Sequence, residues 1–555
     1  VLSAAFIETM YNSENKPSNF IIQHIALTET LSFTDAATGE EDVSSTTVTL
    51  PAETLSFTDS VSIAASISVS ETLSFTDSAS KSVTISLSEY LSLSAGGPAA
   101  PTTPVALDKE NLTNPEYVEV FTIGPKTYAI VTQPDSYDEN TGKVTIYDVS
   151  NPANISVTDS LTDTGSLKLN GASGVDTFVI HGRTYAIVTA GSDSAVQILD
   201  VSDPTNIVAK DSATDGSVFP QLYSPVRGVE TFTVASNSTA TYAIVTDMGS
   251  SENDYEDGGV QIIDVSNPSA IVAMDAESYH ASNFPQLRGA YAADTFMIGT
   301  STYAIVTAIG NWGGEADEDD GAKGIQVIDV SNPSAIVATD ALTQEDLRYS
   351  GGVEIFTIGS NTYAIVTGYS NSKVTTLNLT DPTDISIIQT VTDGGNFPEL
   401  EGAFGVDVFT VGSSTYAIVT GYDDDGVQII DISDPANMSA VGSLANSGSL
   451  KLDGADGVDT FKIGFSTYAV VAALETYDDD ATDGGVQILQ LSTDDKLVGE
   501  VSKSLSETLS FTDSVSIAVS ISVSETLSFT DSISRGKAVS QGLSESITLT
   551  DNTSI

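Results

Sequence analysis

A carboxylate returns at one position in each of seven sequence repeats: Glu119, Asp176, Glu230, Asp294, Glu354, Asp407 and Asp459. Carboxylate oxygens are ligands for hard cations, calcium above all. If the segment carrying them lies innermost in a ring, seven like charges face one axis. Such groups raise one another's pKa unless a cation or backbone N–H groups compensate. Two readings follow: a calcium site, or a staple in which each acid bonds the backbone of the neighbouring unit. A second set of acids sits in longer loops, among them Asp423, Asp424 and Asp425, and Asp478 and Asp480. Equivalent loops must emerge on one rim and make it strongly negative; none has the distant bidentate Glu of an EF-hand. These acids are candidate calcium ligands or a solvated crown. The single tryptophan, Trp312, lies in the longest such loop and is a candidate ligand platform, or else it tucks onto its own unit.

Other chemistry is thinly represented. The chain has no cysteine and only three histidines, His24, His181 and His280, none in triad or metal-ligand spacing. No glycine-rich phosphate loop or nucleophile elbow occurs. The chain is therefore expected not to be an enzyme; carboxylate-only hydrolysis or lysis of a polysaccharide at the tunnel mouth is the remaining enzymatic alternative. Among 555 residues, 19 basic against 76 acidic side chains give a net charge of −57. That charge repels phosphate backbones and sets nucleic acid aside as a partner. No apolar run is long enough to span a bilayer as a helix. The start at Val1 suggests removal of a signal segment, so an extracellular, cell-surface location is expected.

The elements that must position these acids announce themselves by repetition. The phrase Thr-Tyr-Ala-Ile-Val-Thr, or a close variant, recurs around Tyr128, Tyr185, Tyr242, Tyr303, Tyr363, Tyr416 and Tyr468, spaced 57, 57, 61, 60, 53 and 52 residues by subtraction. A period of about 40–60 residues holding several short apolar runs is the signature of a propeller blade. In the sixth repeat four β runs are predicted: 406–411, 416–420, 427–432 and 440–444, separated by Gly-, Ser- and Asp-rich turns. The third run usually closes on an acid (Asp148, Asp200, Asp264, Asp329, Asp431) followed by a Ser-Asx-Pro phrase, which reads as an Asx turn.

The stretch 416–444, YAIVTGYDDDGVQIIDISDPANMSAVGSL, and its echoes from Gly259 and Gly324 resemble the LVIVD repeat of bacterial and archaeal cell-surface β-propellers. The resemblance spans roughly residues 116–501 and implies a seven-bladed β-propeller; it implies little about function, because such propellers serve many roles.

Outside the propeller the pattern changes. From Glu53 to Leu93, odd positions are mostly apolar and even positions mostly Ser or Thr, a long period-2 alternation. The unit Glu-Thr-Leu-Ser-Phe-Thr-Asp begins at Glu29, Glu53, Glu71, Glu507 and Glu525. The expected fold is all-β: a seven-bladed propeller (116–501) inserted between repetitive β-strand arms (1–94 and 502–555) that form a β-sandwich or fibre-like stalk, with a Pro/Gly-rich linker at 95–115. An unbroken odd register excludes two-residue hairpins, so very long strands or odd-length turns are predicted. The apolar stretch 20–27 is a candidate donor strand. The leading functional expectation is a secreted structural or adhesive surface protein, one form of which is a filament subunit built by strand pairing between arms. Its alternative is a glycan- or calcium-binding propeller on a tether. Calcium is the one cofactor expected, and self-assembly and surface glycans are the expected partners.

Overall fold

The structure is a computed structural model. It describes residues 101–492 except 102, 135–141, 224, 251–254, 310–323, 465 and 475–483, and ten short strands outside that span. Residues 100–493 form one compact unit; residues 1–99 and 494–555 form another.

The larger unit is a ring of seven four-stranded antiparallel sheets. The sixth blade runs Ala403–Val411, Ser414–Gly421, Gly426–Asp431 and Ser439–Ala445, matching the four runs read from the repeat. First strands pack against first strands all the way round, and that of blade 7 (Ala455–Ile463) meets that of blade 1 (Val118–Ile123). The phrase around each tyrosine is the second strand. It is buried on both faces between neighbouring blades, as in Arg183–Ala190, where every residue after the first is buried. Two-sided burial explains its continuous apolar run, while the outermost strands face solvent on one side. Each tyrosine lies opposite a first-strand phenylalanine, and the pair packs ring against ring: Phe121–Tyr128 at 5.6 Å, Phe461–Tyr468 at 5.5 Å.

Closure departs from the sequence reading. Blade 7 takes only three strands from its own repeat; its outermost strand is Val105–Asn111, from the stretch read as linker. Val105 pairs with Gln490 and Asn111 with Gly485. Without this partner, strand Gly485–Ser492 would present an open edge of unpaired amides, so the chain's entry segment is bound into its exit blade. The last described propeller residue is Ser492, short of the boundary at 501.

Two sets of side chains fasten blade to blade or turn to strand. On the outer strands, Asp159 accepts from the Ile207 N–H of the next blade at 2.8 Å, Asp275 from Ile336 at 2.8 Å and Asp340 from Ile385 at 2.9 Å. Asp108 does the same across the closure, to the Ile155 N–H at 2.7 Å. The third-strand acids form the predicted Asx turns: Asp148 accepts from Ser150 N–H at 3.0 Å and Asp431 from Ser433 N–H at 2.9 Å. His181 is the turn substitution the repeat suggested, with φ 50 in the left-handed region.

The strands of the smaller unit lie in two five-stranded parallel sheets. One orders Ile25–Ala26, Asp42–Leu50, Ser62–Val69, Lys81–Ser86 and Ile517–Ser522; the other orders Leu31–Phe33, Leu55–Phe57, Leu73–Phe75, Ser510–Phe511 and Thr548–Leu549. Leu55 pairs with Leu73 and Phe57 with Phe75, so this unit stacks on its copy 18 residues on (73 − 55), while Leu31 pairs with Leu55, 24 residues on (55 − 31). The strands are thus short and parallel rather than long or hairpin-linked. Parallel pairing lets identical residues sit side by side, which antiparallel pairing of a directional repeat cannot. Of the stretch 20–27, Ile25 and Ala26 pair with Val48 and Thr49; the rest lies outside the described residues.

The closing bond yields a prediction. Asp108→Ala leaves the Ile155 N–H unpartnered and should cost about 1–3 kcal/mol in chemical denaturation. A loss below about 0.5 kcal/mol would show that the outer bond does not fasten the ring.

Candidate functional site

Six of the seven first strands carry a β-bulge at their beginning, for example between Val226 and Val229, and between Ala455 and Val458. A bulge re-aims the extra residue away from the ladder. The residues at this position, three before each ring acid, are Glu116 (ahead of the blade 1 strand), Ser173, Arg227, Tyr291, Gly351, Phe404 and Asp456. Here the blades, otherwise near-copies, differ most.

The bulges also hold the ring together. Gly228 N–H donates to Thr246 Oγ1 at 2.8 Å, and that hydroxyl donates to Tyr291 O in the next blade at 2.5 Å. The same relay runs from Gly405 N–H through Thr420 to Asp456 O, at 2.7 Å for each bond. The last threonine of the repeated phrase is this relay. In blade 7 Ala472 replaces it, and Gly457 N–H donates directly to Glu116 O at 3.0 Å. Glycine after the bulge residue permits the approach: a Cβ on Gly405 would lie 2.1 Å from Asp456 O.

The first-strand N-termini lie beside the second-strand C-termini, with Val118 opposite Val131, so the bulges share an end with the acidic loops. There the side chains form a buried aromatic and charged cluster, in which Tyr291 and Phe404 also pack with Met248, Tyr255 and Ile309. Arg227 Nη1 donates to Glu116 Oε1 at 2.7 Å, and Ser173 Oγ donates to the same oxygen at 3.4 Å. The Arg227 guanidinium stands 5.9 Å from the Tyr291 ring centre. Phe404 packs edge-on against Tyr291 at 5.4 Å and Tyr369 at 6.0 Å; Tyr422 continues the wall at 5.9 Å from Tyr369. Glu116 and Asp456 are buried, at 5% and 4% exposure. Glu116 Oε2, Asp456 Oδ1 and Arg227 Nε have no hydrogen-bond partner, although buried polar atoms are nearly always paired. Burial raises the Glu116 pKa against the lowering effect of Arg227, and burial with the Glu116 charge raises that of Asp456 well above the carboxylate range.

The ring acids sit three residues further along the same strands, half-buried by exposed area but surrounded by neighbouring strands. Their aspartates are staples. Asp176 accepts from Thr231 N–H in the next blade at 2.6 Å, Asp294 from Ile355 at 2.7 Å, Asp407 from Thr460 at 2.8 Å and Asp459 from Val120 at 2.6 Å. Glu119 accepts only a long 3.4 Å bond from Thr177 Oγ1, and Glu230 and Glu354 lack the backbone staple. Burial pushes Asp176 and Asp407 up to about 6 and Asp294 to about 7. Burial, then neighbouring carboxylates, raise Glu119, Glu230, Glu354 and Asp459 well above the usual range.

The loop acids are tied down separately. Asp423 accepts from the Tyr369 hydroxyl at 3.2 Å, Asp424 from Glu401 N–H at 2.6 Å and Asp425 from Gly454 N–H at 2.9 Å. Asp393, Glu401 and Asp424 bring carboxylate oxygens within 4.8 Å of one another. Asp478, Asp480 and Trp312 lie outside the described residues. At the opposite end, a cleft of about 430 Å³ between blades 2, 3 and 4 is lined by Phe, Thr, Val and Met and holds no titratable group.

The model of the LVIVD repeat matches residues 255–276, 319–340 and 414–446. The chain is a seven-bladed β-propeller that carries LVIVD repeats in those three stretches. No curated protein matches it in sequence. Among solved structures it is similar to the periplasmic gluconolactonase of Pseudomonas aeruginosa (12% identity, 60% of this chain and 86% of that one, TM-score 0.43). A protein from Lactobacillus plantarum matches at 10% identity over 65% of this chain and 99% of its own, TM-score 0.45. A candidate 6-phosphogluconolactonase from Bacteroides uniformis matches at 9% over 62% and 89%, TM-score 0.44. At these levels the likeness is one of fold. The expectation that the chain is not an enzyme is not upheld: two of these fold neighbours are named for lactonase activity, which is said of those proteins alone. That expectation leaned on the scarcity of histidines, a criterion blind to buried carboxyls such as Glu116 and Asp456. Among the described residues, no helix is long and apolar enough to cross a membrane.

Sequence reading missed Glu116, Arg227, Tyr291, Phe404 and Asp456 because it sought residues that recur. The available signal was the opposite: the first-strand position where the seven repeats carry seven different residue types.

The raised ring values fix a pH dependence. The folded ring retains protons that an unfolded chain, with carboxylates near about 4, has released. Its stabilising contribution is therefore full below about pH 4 and is lost as pH rises through about 7. Thermal stability should rise from pH 8 to pH 5.5, and the triple change Glu119→Gln, Glu230→Gln, Glu354→Gln should flatten that rise. A variant as steep as the parent would contradict it.

Proposed function

We propose that the propeller is a carbohydrate-binding head of an adhesive cell-surface protein, holding a neutral sugar in the mouth formed by Glu116, Arg227, Asp456, Tyr291 and Phe404. The observation that carries this reading is the trio of unpartnered atoms in an aromatic mouth: two buried acceptors, Glu116 Oε2 and Asp456 Oδ1, beside one buried donor, Arg227 Nε. A sugar ring supplies what each lacks. Its hydroxyls donate to the carboxyl oxygens and accept from Nε–H, and its C–H face lies on an aromatic ring. A simple cation would satisfy the acceptors and leave the guanidinium unserved. A polyanionic glycan would meet the repulsion of 76 acidic against 19 basic side chains.

Titration calorimetry on neutral glycans selected from an array tests the reading. Phe404→Ala and Glu116→Gln should each weaken binding at least about tenfold. Affinities unchanged by both, or no glycan retained by the parent protein, would remove the reading.

A second role, self-assembly through the arms, is supported by one observation. Lys81–Ser86 pairs in register with Ile517–Ser522, segments remote in sequence, by the rule that pairs adjacent units. Chain continuity is thus not needed for stacking, and a second molecule's arm offers the same strands. Full-length chains should form elongated particles in negative stain while residues 100–493 stay monomeric; single particles from both would count against assembly.

A further inference from the structure

We propose that Asn237 is a site of N-linked glycosylation, selected by the shape of the blade 3 hairpin, and that the sugar is delivered from a polyprenyl-phosphate-linked oligosaccharide. The inference stands apart from what the bulge cluster binds.

Six Asn-Xaa-Ser/Thr sequons occur, at Asn111, Asn154, Asn237, Asn378, Asn437 and Asn552, and the last lies outside the described residues. A transferase that meets the folded chain must hold all three residues of the sequon, which therefore has to lie wholly on the surface. Four of the five described sequons fail that condition. Leu112 is half-buried, and Ile155, Leu379 and Met438 are buried. Asn378 is itself half-buried and spent in an Asx turn, its Oδ1 accepting from Thr380 N–H at 3.0 Å. Asn437 Nδ2 donates to Asp434 Oδ2 at 2.7 Å. Among the described sequons, Asn237, Ser238 and Thr239 alone are exposed at all three positions.

Blade 3 departs from the other six to present them. Its packed aromatics, Phe232 and Tyr242, stand 10 residues apart (242 − 232), whereas every other such pair, Phe121 and Tyr128 for one, stands 7 apart (128 − 121). Phe232 pairs with Tyr242 and Val234 with Asn237, so Thr233 alone faces the stretch 238–241. A bulge of this kind leaves residues out of the ladder, here Ser238 and Thr239. Ala240, 7% exposed, returns the chain to the core. Thr239 Oγ1 donates to Asn237 Oδ1 at 3.0 Å, so the hydroxyl and the amide that define the sequon already meet. The hairpin rises between Thr233 and Thr241 of the 430 Å³ cleft, at the end away from the bulge cluster.

The step balances with the lipid-linked sugar as the only co-reactant. Asn237 Nδ2 bonds to the anomeric carbon as the bond from that carbon to the phosphate oxygen breaks. The proton lost from Nδ2 leaves with the lipid phosphate, and nothing is oxidised or reduced.

The test is mass spectrometry of the full chain purified from the cells that make it. Cleavage after Arg227 and Arg288 yields the peptide 228–288, in which Asn237 heads the one sequon. That peptide should carry an added oligosaccharide mass, and peptides with Asn111, Asn154, Asn378 and Asn437 should carry none. Asn237→Gln and Thr239→Ala, made in the same cells, should each lose the added mass, whereas Ser238→Ala, which keeps the sequon, should retain it. Unchanged thermal melting would show the variants folded. A parent peptide 228–288 at its plain mass overturns the proposal. Sugar that persists in Asn237→Gln places it on a hydroxyl and overturns it too. Equal occupancy at a sequon with a buried middle residue would overturn selection by the fold.

Discussion

Everything in the propeller depends on how seven sheets, joined in series only by single connecting loops, stay in one ring. The answer lies at the bulges. There a backbone N–H, a threonine hydroxyl and the carbonyl of the next blade form a short relay, as from Gly228 through Thr246 to Tyr291. The relay is buried, so losing a member leaves polar groups without partners in a place where water does not replace them. Three residues further along the same strands the ring aspartates repeat the device, and the outer-strand acids repeat it again at the rim of the ring. The last blade closes on a strand from the chain's own entrance, so the ends of the unit are fastened to each other.

This fastening explains why function can sit where it does. Because the main chain at each bulge makes the bonds between blades, the type of side chain there can differ from blade to blade. Evolution of near-identical blades can then place glutamate, serine, arginine, tyrosine, phenylalanine and aspartate around one axis without disturbing the ring. The opposite holds three residues along the strand, where a carboxylate is present in all seven blades. The aspartates are fixed by the bonds they make, whereas the longer glutamates forgo the backbone staple and, raised by burial and one another, hold their protons to higher pH.

Much of this was legible beforehand. The repeated tyrosine phrase counts the blades, alternation and turn residues locate the strands, and the Ser-Asx-Pro phrase predicts the Asx turns. The staple reading of the ring acids was also available, though its limitation to aspartates was not, since reach across a blade boundary depends on side-chain length in three dimensions. The closing strand was hidden: Val105–Asn111 follows a proline-rich run and carries no copy of the tyrosine phrase, so it read as linker. Period-2 alternation in the arms says which residues share a face and nothing about strand direction, which is why parallel stacking was not foreseen. The mouth escaped for a different reason. A search for recurring residues passes over a site built from exceptions.

The central claim, that the diverged bulge residues form a sugar-binding mouth, is tested most directly by a crystal structure of the full chain soaked with a neutral oligosaccharide. The account places a sugar ring against Phe404 or Tyr291, with hydroxyls on Glu116 Oε2 and Asp456 Oδ1 and an oxygen on Arg227 Nε. Sugar found only on the acidic loops or in the opposite cleft, with the three atoms still unpartnered, would contradict it.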